Sequence, residues 1–199
     1  RKKKHMVINT NITAQISAGN LQNSQAMLSR SLARLSSGSK IINPSDDAAG
    51  LAVASRLDAQ VQRLNAAKAN IGNAVSFTQT QDGYLKKIAK AFDRMSELTI
   101  LAQDVTKSDA DRALYNAEFT ELGAYVTSAA SKDFNGVPLF STTALNVTTD
   151  SEGSTFTMNG IDLGAAVYTT AAAANVSTLA TAATALTDIK AAITQIATD

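Results

Sequence analysis

After Pro44 the chain contains no proline as far as about Gln103, and along most of that stretch apolar residues recur four and three positions apart. Leu57, Val61, Leu64, Lys68, Ile71 and Val75 hold the spacing, with Lys68 as its one polar break. After a weaker stretch around Thr78 and Asp82 it resumes at Leu85, Ile88, Phe92 and Met95. This alternation is the seam of a coiled coil. One helix over the stretch is roughly 80 Å long at ~1.5 Å per residue. A compact domain of 199 residues cannot bury such a rod, so it belongs in a bundle or an assembly. Gly72 and Gly83 weaken the helix locally and the seam changes phase near them, so a bend is expected there. The start is marked by Asn43-Pro44-Ser45-Asp46-Asp47. Pro44 stops a helix from running through from behind, Ser45 is the expected cap, and the two acids sit at the positive end of the helix dipole.

An earlier helix is predicted from about Asn11 to Leu35, with Ala14, Ala18, Leu21, Gln25, Leu28, Leu32 and Leu35 on the same alternation. Its first half places Ala and Gln where Leu would hold a partner, so it is marginal until other helices cover it. Ser36-Ser37-Gly38-Ser39 ends it, with Gly38 near the carboxyl-terminal cap. A third helix is expected from Ser108 to near Lys132, opened by a Ser108/Asp111 capping box and carrying Tyr115, Phe119, Leu122, Val126 and Ala129. Asn135-Gly136 then signals a turn.

From Ser141 to Thr170 the chain is rich in Ser, Thr, Gly and Ala. Two alternating runs, Ala144 to Thr148 and Thr155 to Met158, flank Asp150-Ser151-Glu152-Gly153 and predict a β-hairpin, followed by a turn at Asn159-Gly160. The last helix, about Ser177 to Thr198, carries Leu179, Ala182, Leu186, Ile189, Ile193 and Ile196 on one stripe. That pattern is still running at Asp199, so the helix is expected to be truncated there. The expected fold is mainly α: an elongated bundle of four helices, three of them long and one-sided, with coiled-coil-like seams and one small β-hairpin.

Aromatic residues make up 5% of the chain and Trp is absent, which favours slender helix-on-helix packing over a thick globule. Catalytic chemistry finds little to stand on. The chain has no cysteine and one histidine, His5, so thiolate chemistry is excluded and a metal would need carboxylates alone. Asp150, Glu152 and Gly153 weakly resemble a calcium loop, but the remaining ligand positions are missing and a turn explains them. Asp46 and Asp47 are adjacent and project about 100° apart on a helix, so dipole capping explains them better than a catalytic pair. Gly38-Ser39-Lys40 ends like a phosphate loop without the upstream glycine or strand it needs. The Ser and Thr hydroxyls have no histidine to activate them. The chain is therefore expected not to be an enzyme and to take no cofactor or metal. A net charge of +1 implies no nucleic-acid partner. The one basic cluster, Arg1 to Lys4, reads as a solvated tail upstream of a native start at Met6. No apolar run is long enough for membrane insertion, and no secretory signal peptide is visible. Asn11, Asn146 and Asn175 open glycosylation sequons, relevant only in a host with that machinery.

Several of these segments together resemble the amino-terminal region of bacterial flagellin: Met6-Val-Ile-Asn-Thr-Asn11, Leu32-Ala-Arg-Leu-Ser-Ser-Gly38 and Ile42-Asn-Pro-Ser-Asp-Asp-Ala-Ala-Gly-Leu-Ala52, then Ile71-Gly-Asn-Ala-Val-Ser76, Gln81-Asp-Gly83 and Phe134-Asn-Gly136. The likeness runs almost continuously from Met6 to about Phe140, and Leu179 to Thr198 resembles the start of the family's carboxyl-terminal helical half. The resemblance implies a structural subunit exported unfolded through the flagellar type III apparatus. It would be served by an export chaperone and polymerise with its own copies into the extracellular propeller filament. It also implies a layout. Residues 1–5 are a basic tail. Residues 6–42 are a terminal core helix and spacer, disordered in the monomer, and 43–140 are the long-helix bundle. Residues 141–176 are a hairpin or variable region without an outer domain, and 177–199 are a returning helix. Without the family's further helical return, the chain alone is expected to form no stable filament. The assembly seam is expected at Leu21, Leu28, Leu32, Leu35, Leu57, Val61, Leu64, Ile71 and Val75. In some flagellins an innate immune receptor contacts positions matching Arg94, Glu97, Leu98 and Glu118, although Ser96 stands here where recognised members carry a second arginine. Two other readings remain open: a hook–filament junction protein, which shares the terminal pattern, and a non-enzymatic surface-binding or adhesion module.

Overall fold

The structure is a computed structural model that describes residues 11–199. The basic cluster at 1–5 and the first residues of the terminal segment, 6–10, lie outside the described residues. The chain divides into two units, Arg1–Val61 and Gln62–Asp199. The boundary between the units falls inside the long helix.

In the first unit, α1 runs Ile12–Ser37. Asn11 caps it, its side-chain oxygen accepting from the Ala14 amide at 3.3 Å. Gly38 closes it in the left-handed conformation, φ 65°, where a Cβ would be strained. No residue of α1 is buried. Pro44 then sits in a turn that the Asp46 amide closes onto the Asn43 carbonyl at 2.9 Å. That turn takes Ser45 out of capping position and corrects the expected cap. Helix α2 starts at Ala48, and Asp47 caps it by accepting from the Gly50 amide at 2.8 Å. Asp46 pairs instead with Arg34, at 3.6 Å. A Cβ at position 50 would lie 2.3 Å from the Asp47 carboxylate, so a side chain there would have to shift the capping group.

α2 runs Ala48–Ala102, 55 residues without a break at Gly72 or Gly83. In the second unit its later half presents Phe77, Gln81, Ile88, Phe92, Met95 and Leu98 to a core shared with three more helices: α3 (Asp109–Ala130), α4 (Ala166–Ala173) and α5 (Leu179–Ile196). α5 meets that core with Ala182, Ala185, Ile189 and Ala192, and its small residues leave room for the rings of Phe92, Phe119 and Tyr168. Phe92 and Tyr168 stack with centroids 6.2 Å apart. α3 and α4 approach so closely that a Cβ on Gly123 would lie 2.1 Å from the Ala172 carbonyl oxygen.

Buried polar groups are tied to backbone. Gln81 Nε2 donates to the Leu139 carbonyl at 2.7 Å. Arg112, 6% exposed, donates Nε to the Ala102 carbonyl at 2.7 Å and Nη2 to the Asp104 carbonyl at 2.9 Å. A cation from α3 thus satisfies carbonyls at the negative end of α2. The Ser108/Asp111 capping box opens α3 as its spacing predicts, and Thr178 with Thr181 forms a second box on α5.

Two features depart from the expected fold. Asn135 and Gly136, with φ of 53° and 79°, close a second hairpin, β1 (Asp133–Phe134) with β2 (Val137–Pro138). The expected hairpin also forms, β3 (Leu145–Thr148) antiparallel to β4 (Thr155–Met158) with Leu145 opposite Met158. α4, a fifth helix, lies in the stretch expected to be variable. It carries no charge or apolar repeat, and only Tyr168 and Ala171 are buried, so packing rather than pattern defines it.

Candidate assembly seam

The residues of the expected seam share one property. Leu21, Leu28, Leu32, Leu35, Leu57 and Val61 in the first unit are exposed, and so are Leu64, Ile71 and Val75 in the second. Exposure runs from 39% at Ile71 to 81% at Leu35. Full burial of one such side chain contributes about 1.5–3 kcal/mol, so each seam residue carries unused driving force for association. The seam is helical throughout. α1 is fixed by caps at both ends, and α2 by the Asp47 cap and its 55-residue ladder. The heptad spacing therefore holds these residues along the helices as rows of knobs.

Within the second unit the same helix shows two fates for the same spacing. Leu64, Ile71 and Val75 face solvent, whereas Ile88 and Met95 are 0% exposed. The change begins at Phe77, whose ring meets Phe134 edge-on at 5.9 Å. Beyond that point α3, α4 and α5 cover α2. Ile71 and Val75 also line an apolar groove of about 380 Å³ with Val147, Phe156 and Met158 of the β3–β4 hairpin. Phe156 is 64% exposed. The Thr-Phe-Thr-Met alternation is visible in the sequence, but which strand face lies on α2 is not.

The hairpin turn has an internal explanation for its acids. Asp150 accepts from the amides of Ser154 at 2.8 Å and Glu152 at 2.9 Å, and hydrogen bonds from the Ser154 side chain and amide, then from Glu152, hold its carboxyl below the usual carboxylate range. Glu152 lies 3.9 Å from Arg63 of α2, whose Nε also donates to the Ser151 carbonyl at 2.8 Å. Among the described residues no group of three or more His, Cys, Asp and Glu side chains could hold a metal ion, and no helix is long and apolar enough to cross a membrane.

The four positions singled out as a receptor contact do not lie alike. Arg94 forms a fork with Glu118 across α2 and α3, Nε to Oε1 at 2.6 Å and Nη2 to Oε2 at 3.0 Å, and its Nη1 reaches Glu97 at 2.6 Å. Hydrogen bonds to Glu118 and then Glu97 raise the pKa of the guanidinium, and the Arg94 hydrogen bond lowers that of Glu118. All three side chains reach solvent. Leu98 is 0% exposed and belongs to the core, so its side chain is not part of that exposed patch. Arg112 and Gln81, which hold the corner and the hairpin base, were not singled out from sequence because a buried polar side chain has no periodic signature.

A family model described as the bacterial flagellin N-terminal helical region matches residues 8–144. Flagellin E of Vibrio cholerae is 33% identical over 138 residues, covering 66% of this chain and 36% of that protein. Phase 1 flagellin of Salmonella naestved is 35% identical over 136 residues, covering 68% of this chain and 27% of that protein. The chain thus spans about a third of the length of these curated relatives, or less. A crystal structure of Bacillus cereus flagellin superposes with a TM-score of 0.58 at 27% identity, covering 64% of this chain and 76% of that one.

Proposed function

Because this chain belongs to the bacterial flagellin family, through its amino-terminal helical region, we propose that it is a structural subunit of the flagellar filament. It polymerises outside the cell into the propeller used for motility. The observation that carries this reading is the uniform exposure of the seam on capped, regular helices. A row of exposed leucines and valines at heptad spacing is costly in a monomer and useful in a polymer. Catalysis is no part of this reading.

The finer assignments follow from the same premise. Residues 6–42 form the terminal segment buried in the filament interior, and 43–140 with 177–199 form the bundle outside it. The protein is handled by the flagellar export chaperone and export apparatus. Receptor recognition falls on the exposed patch of Arg94, Glu97 and Glu118.

A chimera tests the main reading. Residues 11–140 replace the matching segment of Salmonella naestved flagellin, and the gene is returned to a strain lacking its own flagellin. Filaments and swimming support the subunit role. A chimera that is exported and folded but never polymerises points instead to a junction or surface-binding role.

A further inference from the structure

The chain contains two Asn-Gly dipeptides, Asn135-Gly136 and Asn159-Gly160, and the fold treats them differently. In such a pair the glycine amide nitrogen can attack the asparagine Cγ. The new N–Cγ bond closes a succinimide ring, the Cγ–Nδ2 bond breaks and ammonia leaves. Water then opens the ring at either carbonyl to give aspartate or isoaspartate, with no redox change. Both asparagines and both glycines are exposed. Among the described residues neither asparagine carboxamide has a hydrogen-bond partner, so neither leaving group is protected.

The difference is in the backbone. Asn135 is locked at φ 53° beside Gly136 at φ 79°, in a two-residue turn closed by the pairs Phe134–Val137 and Asp133–Pro138. The Leu139 amide, bonded to the Lys132 carbonyl at 2.9 Å, clamps the base of the turn. Those dihedrals belong to a mirror-image turn, which does not bring the glycine nitrogen onto Cγ. Ring closure at Asn135 must first open the hairpin. Asn159 follows Met158, the last paired residue of β4, and has no positive φ. The Gly160 amide has no hydrogen bond to another described backbone group. Gly160 is packed where a Cβ would lie 2.2 Å from the Ser141 carbonyl oxygen, and the Asn159 side chain is exposed to solvent.

We propose that Asn159 is the site at which this protein deamidates in its folded state, and that the Asn135 turn protects its own dipeptide. Conversion adds a carboxylate to the lining of a groove that Gln81, Asp82, Phe156 and Asn159 share. The hairpin face then grows more acidic as the protein ages.

Peptide mapping by mass spectrometry, on protein held warm at mildly alkaline pH, reads both sites in one sample. In the folded protein Asn159 is expected to convert about tenfold faster than Asn135, the factor that corresponds to ~1.4 kcal/mol of turn opening. In denaturant the two rates should converge, because the dipeptides are identical. Equal rates in the folded protein, or faster loss at Asn135, would overturn the proposal. So would the same ratio in denaturant, since the difference would then lie in the flanking sequence and not in the fold.

Discussion

Glycine at position 123 is set by a single distance. With the Ala172 carbonyl oxygen 2.1 Å from where a Cβ would sit, Gly123→Ala must push α4 away from α3. Backbone cannot swing aside as a side-chain end can, so a loss of about 1–3 kcal/mol is expected. Thermal unfolding of the variant reads it, and an unchanged melting temperature would show that the two helices are not in such close contact. Core truncation is a second residue-scale case. Ile88→Ala leaves a cavity in the core of the second unit and should cost roughly 2–5 kcal/mol. Arg94 should behave differently. Its partners Glu97 and Glu118 are exposed, and solvent and salt screen the fork. Arg94→Ala should leave the melting temperature nearly unchanged while lowering a receptor-reporter signal. A reporter signal that does not move would remove this patch from the recognition reading.

At the scale of elements, capping predicts a direction with pH. Hydrogen bonds from Ser108 hold the Asp111 carboxyl below its ordinary value at the start of α3, and those from Ser154 and Glu152 do the same for Asp150 in the β3–β4 turn. A carboxyl whose folded pKa is depressed adds stability above its unfolded pKa and loses it as pH falls through the folded one. Both contributions should therefore be intact at neutral pH and fade below about pH 4. Chemical denaturation across that range should show wild type losing more stability than Asp111→Ala; parallel curves would refute the assignment. α1 calls for a different measurement. It buries no residue, so its hydrogen-bond ladder has little tertiary support, and its amides should exchange far faster than those of α5 or the later half of α2. Strong protection across α1 in a monomer would contradict this.

Elements also show what sequence reveals. α1, α2, α3 and α5 were legible because a one-sided helix repeats its apolar positions, and Gly38 and the Ser108/Asp111 pair announce ends through local chemistry. α4 was not legible, because an octet of Ala, Val, Tyr and Thr has no contrast between faces and becomes a helix by packing on α3 and α5. The cap at Asp47 was missed because Asn43-Pro44-Ser45 spends its own hydrogen-bonding group on a turn first. The seam was legible as a pattern, but heptad spacing does not say which stretch is covered. Leu64 to Val75 and Ile88 to Met95 read alike, and only the position of α3 to α5 separates an exposed row from a core.

For the whole molecule, the exposed rows must be covered by other copies. Replacing Leu28 and Leu32 with aspartate should leave folding of the second unit intact, since neither contributes to its core, yet prevent assembly. Circular dichroism and sedimentation separate those effects, and a variant that still polymerises would place the contacts elsewhere. The most direct test joins this chain to the carboxyl-terminal helical region of Salmonella naestved flagellin and examines it by electron microscopy and sedimentation under salting-out conditions. The account predicts filaments from the joined chain and none from its Leu28→Asp, Leu32→Asp variant. A joined chain that folds and remains a monomer under those conditions would contradict it.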